Sequence, residues 1–429
     1  MLLFHAAAPV AGPPRVTFGG ILFVFSAMNE QLVVKNFGPI KEATVDFKRV
    51  TVFIGPTGGG KSTLAKLKMV VSESDVVSQN GISASAFDDY GMESFKRPNY
   101  SVTFIGRKNF FLEFTGDKVT VDPKLLSVAR KKGKEEFKKH LESIDSESIG
   151  KILLDATSGE NASPSALELL ERFENSFSKG FLRGLLGVHL HTHYIPAERI
   201  IISILDSSWP SLIEAKADLP KPLLSFAKGF IKAANSVRTL NMPFLNVEFQ
   251  STDRQNIIRS LDDDVALQLR EAASGLQSVT PLLVFLEDLN SDTEFAHSFV
   301  VEEPELNLYP TAQQGLLNWL VEKCTKGEND LTITTHSPYI LSHLNLLLYA
   351  HQVAEQHPER RADVAAIVPE ASWIDPKEFA CYQVEGGGVE SLVNDELGLI
   401  DNNELDGLSG DAADAFDNLI RLSKGIAVK

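Results

Sequence analysis

Cysteine is nearly missing from this chain: 429 residues contain two, Cys324 and Cys381. So few, so far apart, give neither a disulfide framework nor the paired spacing of a zinc site, and they fit a reducing compartment, so a cytoplasmic protein is expected. Long apolar runs are also lacking. None approaches the ~20 residues that cross a bilayer, which excludes a membrane-embedded transporter half. The nearest stretch, GGILFVFSA ending at Ala27, has no cationic start of the signal-peptide kind and precedes Met28. Residues 1–27 are therefore expected to be an extension upstream of the native start, or else a flexible arm. Positive charge is in deficit, with a net charge of -16. That argues against a protein that coats nucleic acid uniformly, while leaving a local basic face possible. Internal repeats and low-complexity tracts are absent.

What is present is ample apolar material, 43% of the residues, enough for up to about three domains at ~150 residues each. From Gln31 apolar and polar residues alternate around Gly38-Pro39, predicting a hairpin that feeds a buried strand over 50–54. STLAKLKMVV then carries helical periodicity. Residues 95–121 read as β-rich, and 123–181 as polar and helical. A strand returns around His189 and ends in YIPAER, Tyr194 to Arg199. Helices are expected over 203–240, broken at Pro210, Pro220 and Pro222. The predicted organisation is an extension (1–27), the first half of a core domain (28–121), a mostly helical insertion (122–245), the second half of that domain (246–349) and an acidic C-terminal region (350–429). Beyond Gln383 ten acidic residues occur before the next cation, Arg421, the mark of a solvated face or tail.

Four motifs carry chemistry. Gly55-Pro56-Thr57-Gly58-Gly59-Gly60-Lys61-Ser62, followed by Thr63, matches G-x-x-x-x-G-K-[ST] between a strand and a helix. Glycines there let backbone N–H groups turn toward phosphate oxygens, Lys61 adds a full positive charge, and Ser62 can ligate Mg²⁺. In HSFVVEEPELNLYP an apolar strand ends in Glu302 and Glu303. Adjacent carboxylates repel unless their tasks differ, so Glu302 is assigned to Mg²⁺ and Glu303 to polarising the attacking water. LTITTHSPYIL delivers His336 to the end of another strand, where an imidazole can reach a γ-phosphate and orient water. REAASGLQ places Ser274, Gly275 and Gln277 at a helix N-terminus, a second anion cradle. One subunit has no use for two cradles on one nucleotide. A dimer does, the second cradle closing on ATP held by the partner.

Together these motifs resemble the ABC-type ATPase heads that include the SMC, RecF and OLD ATPases. The resemblance covers residues 31–121 and 245–349. It implies an α/β fold, a P-loop ATPase head of mixed β-sheet with flanking helices plus an antiparallel β subdomain, with ATP and Mg²⁺ as its ligands and a homodimer formed through the heads. By it Gly55 to Ser62 are the Walker A loop, Glu302 and Glu303 the Walker B pair, His336 the switch histidine, Ser274 to Gln277 the signature and Glu305 to Leu308 the D-loop. Leu276 replaces a signature glycine, and Tyr309 stands where relatives often have His. EEPE, THSP and YIPAER are similar to the OLD-like branch. Within it the chain resembles ATPase subunits of bacterial anti-phage systems such as PARIS and Septu, which implies a sensor ATPase controlling a separate toxic effector. A DNA-repair ATPase of the SMC or RecF kind is the alternative. No DxD on a strand follows His336, so no Toprim nuclease is expected.

Other candidates are weaker. Gln79 is the candidate Q-loop residue. His189, His191 and His193 share one strand face and read as structural rather than as a zinc site. Glu198 and Arg199 are expected to form a structural ion pair. Lys124, Arg130, Lys131, Lys132, Lys134, Lys138 and Lys139 form a basic helix, either a solvated face or a surface for DNA, RNA or an acidic protein.

Overall fold

The computed structural model describes residues 15–18, 21–24, 30–72, 86–106, 111–116, 118–124, 127–128, 131–132, 134–135, 191–252, 255–263, 265–291, 296–401, 416 and 419–420. Gln79, Arg130, Lys138, Lys139, His189 and the rest of residues 136–190 of the expected insertion lie outside the described residues. Arg15–Phe18 (β1) and Ile21–Val24 (β2) pair as a small hairpin. Glu30–Phe37 (β3) and Ile40–Phe47 (β4) turn at Gly38 and Pro39 as predicted, with buried and exposed positions alternating because one face is packed. Val50–Ile54 (β5), buried at every position, leads through the glycine loop into Lys61–Ser72 (α1). Lys96–Ile105 (β6), Phe111–Thr115 (β7) and Lys118–Val121 (β8) complete a five-stranded antiparallel sheet in the order β4-β3-β6-β7-β8.

The chain re-enters the core at His191–Ile195 (β9). Lys221–Val237 (α2) follows, then a four-stranded meander of Thr239–Met242 (β10), Val247–Ser251 (β11), Asn256–Ser260 (β12) and Ala266–Gln268 (β13). Next come Ser274–Asn290 (α3), His297–Glu302 (β14), Pro310–Cys324 (α4), Asp330–Thr334 (β15) and Pro338–Gln356 (α5). Phe379–Glu385 (β16) and Gly388–Ser391 (β17) end the core. The central sheet runs β17-β16-β5-β15-β14-β9, parallel throughout except for β17.

Two expected boundaries are corrected by this topology. β9 pairs in parallel with β14, from His191↔His297 to Ile195↔Val301, so the head resumes at residue 191 rather than 246. β16 pairs with β5, so the head continues past 349 to Ser391. The prolines also act differently from expectation. Pro210 and Pro222 occupy the first turns of Trp209–Glu214 and α2, where a missing N–H costs nothing, so they open helices rather than break them.

Two cores lie on opposite faces of the central sheet. Val50, Val52 and Ile54 pack with Phe226, Phe230, Leu282 and Phe285 of α2 and α3. Phe53, pointing the other way, packs with Leu64 and Val70 of α1 and with Leu32, Val102 and Phe104 of the antiparallel sheet. Parallel strands covered on both sides have no solvent face, so β5, β14 and β15 are buried at every position, the polar residues Thr51, His297, Ser298, Asp330 and Thr332 included. Phe226 meets Phe285 edge-on at 5.3 Å, and a Cβ on Gly229 would stand 2.4 Å from Phe285. The close approach of α2 and α3 therefore needs that glycine, and Phe226→Ala is expected to cost roughly 3–5 kcal/mol.

Candidate functional site

β5, β15 and β14 are neighbours and parallel, so their C-terminal ends, and the residues that follow them, share one edge of the sheet. Ligand sites of open α/β sheets form at such edges. β5 delivers the glycine loop, β14 delivers Glu302 and Glu303, and β15 delivers His336.

The loop is tightly seated. Gly55 has φ +136°, and a Cβ there would lie 2.3 Å from the Val384 carbonyl oxygen; one on Gly59 would lie 2.6 Å from the same atom. Gly60, at φ +116°, would meet Ile40 at 2.4 Å. The cradle is thus made by backbone that admits no side chain, pressed against β16 and β4. Lys61 is buried, and its ammonium donates to the carbonyls of Gly55 (2.8 Å) and Pro56 (3.0 Å). Burial holds its pKa below the ordinary lysine value, while Glu303, Glu302 and Glu305 work in the opposite direction. Pro56, Thr57, Gly58 and Ser62 are exposed, and Thr63 is buried.

At the end of β14 the pairing continues one residue further, Glu303 N donating to Thr334 O at 2.9 Å. Glu303 then adopts φ +41°, unusual for a side chain with a Cβ. Its carboxylate lies 3.0 Å from His336 Nε2. Burial lifts the Glu303 carboxyl above its ordinary value, with Lys61 opposing and Glu302 reinforcing the shift. Burial, and then Lys61, lower His336. Glu302 is buried and has its Oε1 without a hydrogen-bond partner among the described residues. Glu305 Oε1 accepts from Thr335 Oγ1 (2.6 Å) and from the His336 amide (3.0 Å), fixing the turn that presents the imidazole.

Nucleotide and metal fit these residues. A bare-backbone cradle beside an ammonium suits a polyphosphate. The buried Glu302 Oε1, without a partner among the described residues, and the exposed Ser62 hydroxyl are the hard oxygen donors that Mg²⁺ prefers. Glu303, charged and paired with a neutral imidazole, can polarise a water.

Ser274, Gly275 and Gln277 form a separate group. Ser274 is exposed at the first position of α3, whose N-terminus has no side-chain cap. A Cβ on Gly275 would lie 2.7 Å from Asn307 O and 3.1 Å from Leu308, so this helix end is packed on the loop after Glu305. Gln277 Nε2 donates to Arg270 O at 2.7 Å, tying the preceding turn.

One sequence expectation changes. Arg199 forms no ion pair with Glu198 among the described contacts; it is wholly buried and donates only to backbone carbonyls. His193 Nε2 lies 3.0 Å from His297 Nδ1, and His191 also packs on His297. His193 and His297 both stack on Phe299, and no metal-holding cluster occurs among the described residues. Tyr194 and Val384 were missed as site residues, and Glu305 was read only as the start of the D-loop. For Tyr194 the YIPAER motif offered a signal.

Residues 127–341, half of the chain, match the family described as AAA ATPase domain. The chain belongs to that family. The matched stretch of this AAA ATPase domain includes YIPAER, the Ser274 segment, the Glu302-Glu303 pair and His336, and begins after the glycine loop. Solved structures similar to it include the SMC head domain from Thermotoga maritima, at 11% identity over 85% of this chain and 97% of that one, with a TM-score of 0.36. The Pyrococcus furiosus Smc head with an extended coiled coil, bound to the C-terminal domain of ScpA, is 9% identical over 85% and 95%, with a TM-score of 0.32. The recombination mediator RecF is 13% identical over 85% and 98%, with a TM-score of 0.32. Among curated protein sequences none matches. No helix of the described residues is long and apolar enough to cross a membrane.

Proposed function

We propose that this AAA ATPase domain hydrolyses ATP at a site completed by a second copy of the chain, as the cytoplasmic regulatory ATPase of a bacterial defence system whose toxic effector is a separate protein. The observation that carries the reading is the meeting of Lys61, Glu302, Glu303 and His336 at one sheet edge, while the Ser274 end of α3 opens to solvent. Lys61 neutralises phosphate charge. Glu303 takes up a proton from water, held in place by His336. Bound through Ser62 and Glu302, Mg²⁺ would screen the phosphate oxygens. The second copy's Ser274 and Gly275 would close on the nucleotide from the other side.

EEPE, THSP and YIPAER support the OLD-like, defence-type assignment. Lys131 and Lys132, exposed in the basic segment, are offered as the surface for a polyanionic trigger, whose binding must fade with salt. Turnover per chain tests the shared site: it should rise with chain concentration and then level off, whereas a site complete within one chain gives a constant value. The partner protein is tested by purifying the chain with the product of its neighbouring gene. Co-elution of a toxin or nuclease supports the reading, and co-elution of recombination proteins contradicts it.

A further inference from the structure

A ten-residue segment, Tyr194 to Ser203, touches both halves of the site just described. Burial raises the pKa of the Tyr194 phenol, and the neighbouring Glu302 carboxylate raises it further. Arg199 Nε donates to Ser278 O in α3 (3.1 Å), Nη1 to Glu302 O (2.7 Å) and Pro196 O (3.3 Å), and Nη2 to Glu303 O (2.7 Å) and Pro304 O (3.1 Å). Ser203 Oγ donates to Gln277 O, again in α3, at 2.6 Å.

A buried guanidinium is costly to desolvate, and it is retained only where its donors are satisfied. Here every described bond goes to a carbonyl. Burial lowers the Arg199 pKa to about 10, with Glu305, Glu303 and Glu302 opposing, so it remains a cation at neutral pH. Its planar fork is rigid. One edge grips three consecutive carbonyls, across the residue held at φ +41°, and the other grips the helix that begins at Ser274. A displacement of α3 is therefore passed to the backbone of Glu303 without an intervening flexible side chain.

We infer that Arg199 is a positioning residue that couples engagement of the Ser274 end of α3 to the placement of the Glu303 carboxylate. This rests on the composite ATP site proposed above. Arg199 touches no substrate in this account. It sets where the water-polarising group stands once the partner has closed.

The test uses the full chain with Arg199→Lys and Arg199→Met, and turnover is counted per ATP-binding site. A single ammonium can satisfy the Glu303 side but cannot span to Ser278 at the same time. Both variants should bind ATP within about threefold of wild type and lose at least ~10-fold in kcat with KM little changed, the pattern of an interaction realised only on the way to reaction. A merely structural arginine would lower the melting temperature and leave kcat per site unchanged. Each variant is also combined with Ser274→Arg. Two lesions on one path are non-additive, so the double variant should be no slower than Ser274→Arg alone. Should Arg199→Met fail to fold, Arg199→Lys carries the measurement, and Ser203→Ala, which cuts the second tie to α3, should lower kcat by a smaller factor. Wild-type kcat in Arg199→Lys, or losses that multiply with Ser274→Arg, overturns the coupling. Glu303→Gln run in parallel separates the two claims. If it is slow while Arg199→Lys is normal, only the coupling falls; if it too is normal, the composite ATP site falls and the coupling with it.

Discussion

His336 Nε2 stands 3.0 Å from Glu303 Oε1, and burial shifts the two groups in opposite directions, the carboxyl up and the imidazole down. The lowered imidazole is neutral at pH 7, and its Nε2–H can donate to the carboxylate. Acid removes the Glu303 charge earlier than it would for an exposed glutamate. Turnover should fall as pH drops toward that raised pKa, while ATP binding persists. Replacing His336 with Ala should lower kcat by ~10²-fold, in the range of lost acid–base assistance, and His336→Gln, which keeps an N–H donor, should recover part of it. A steady-state pH profile of the three proteins checks both statements.

The glycine loop gives a steric prediction that separates space from strain. Gly55→Ala puts a methyl group 2.3 Å from Val384 O, whereas a Cβ on Gly58 meets nothing within 4 Å despite φ +80°. Gly55→Ala should displace the loop and weaken ATP binding by at least ~10-fold, or ~1.4 kcal/mol. Gly58→Ala should cost only the left-handed backbone strain, about 1–2 kcal/mol of stability. Calorimetric titration with ATP and thermal melting read the two effects separately.

His193 provides a stability test away from the nucleotide. Burial, and then His297 and His191, hold its pKa at about 3, against ~6.5 in an unfolded chain. Between those values the unfolded chain binds the proton and the folded one does not, so stability is fully present above pH ~6.5 and is lost as pH falls. The loss is about 1.4 kcal/mol per pH unit. Denaturant unfolding at pH 7 and pH 5 should show a steeper fall for wild type than for His193→Gln, by roughly one proton's worth of slope.

The legible parts of the fold were those where burial leaves a simple pattern. β5, β14 and β15 are covered on both faces and are rich in β-branched and apolar residues, so their ends, and with them Lys61, Glu302, Glu303 and His336, could be placed from the chain alone. β9 was harder to assign to the sheet because three of its five residues, His191, Thr192 and His193, are polar and partly buried, and only Tyr194 and Ile195 are fully buried. β16 sits beside an acidic stretch whose charge masks the run FACY, buried at all four positions. Arg199 was misread for a physical reason. Glu198 is its neighbour in sequence, and an adjacent acid and base read as a pair, whereas the side chain leaves its own turn to gather carbonyls from β14 and α3.

The central claim is that ATP is hydrolysed between two copies, by Glu303 of one and under Ser274 of the other. Analytical ultracentrifugation of Glu303→Gln with ATP and Mg²⁺ tests it most directly. Glutamine keeps the size of the side chain but removes the charge that activates water, so hydrolysis should slow by at least ~100-fold and bound ATP should hold the chains together as a persistent dimer. Adding Ser274→Arg, which fills the second cradle, should return the protein to monomers in ATP. Wild-type turnover in Glu303→Gln, or a dimer that survives Ser274→Arg, would contradict the account.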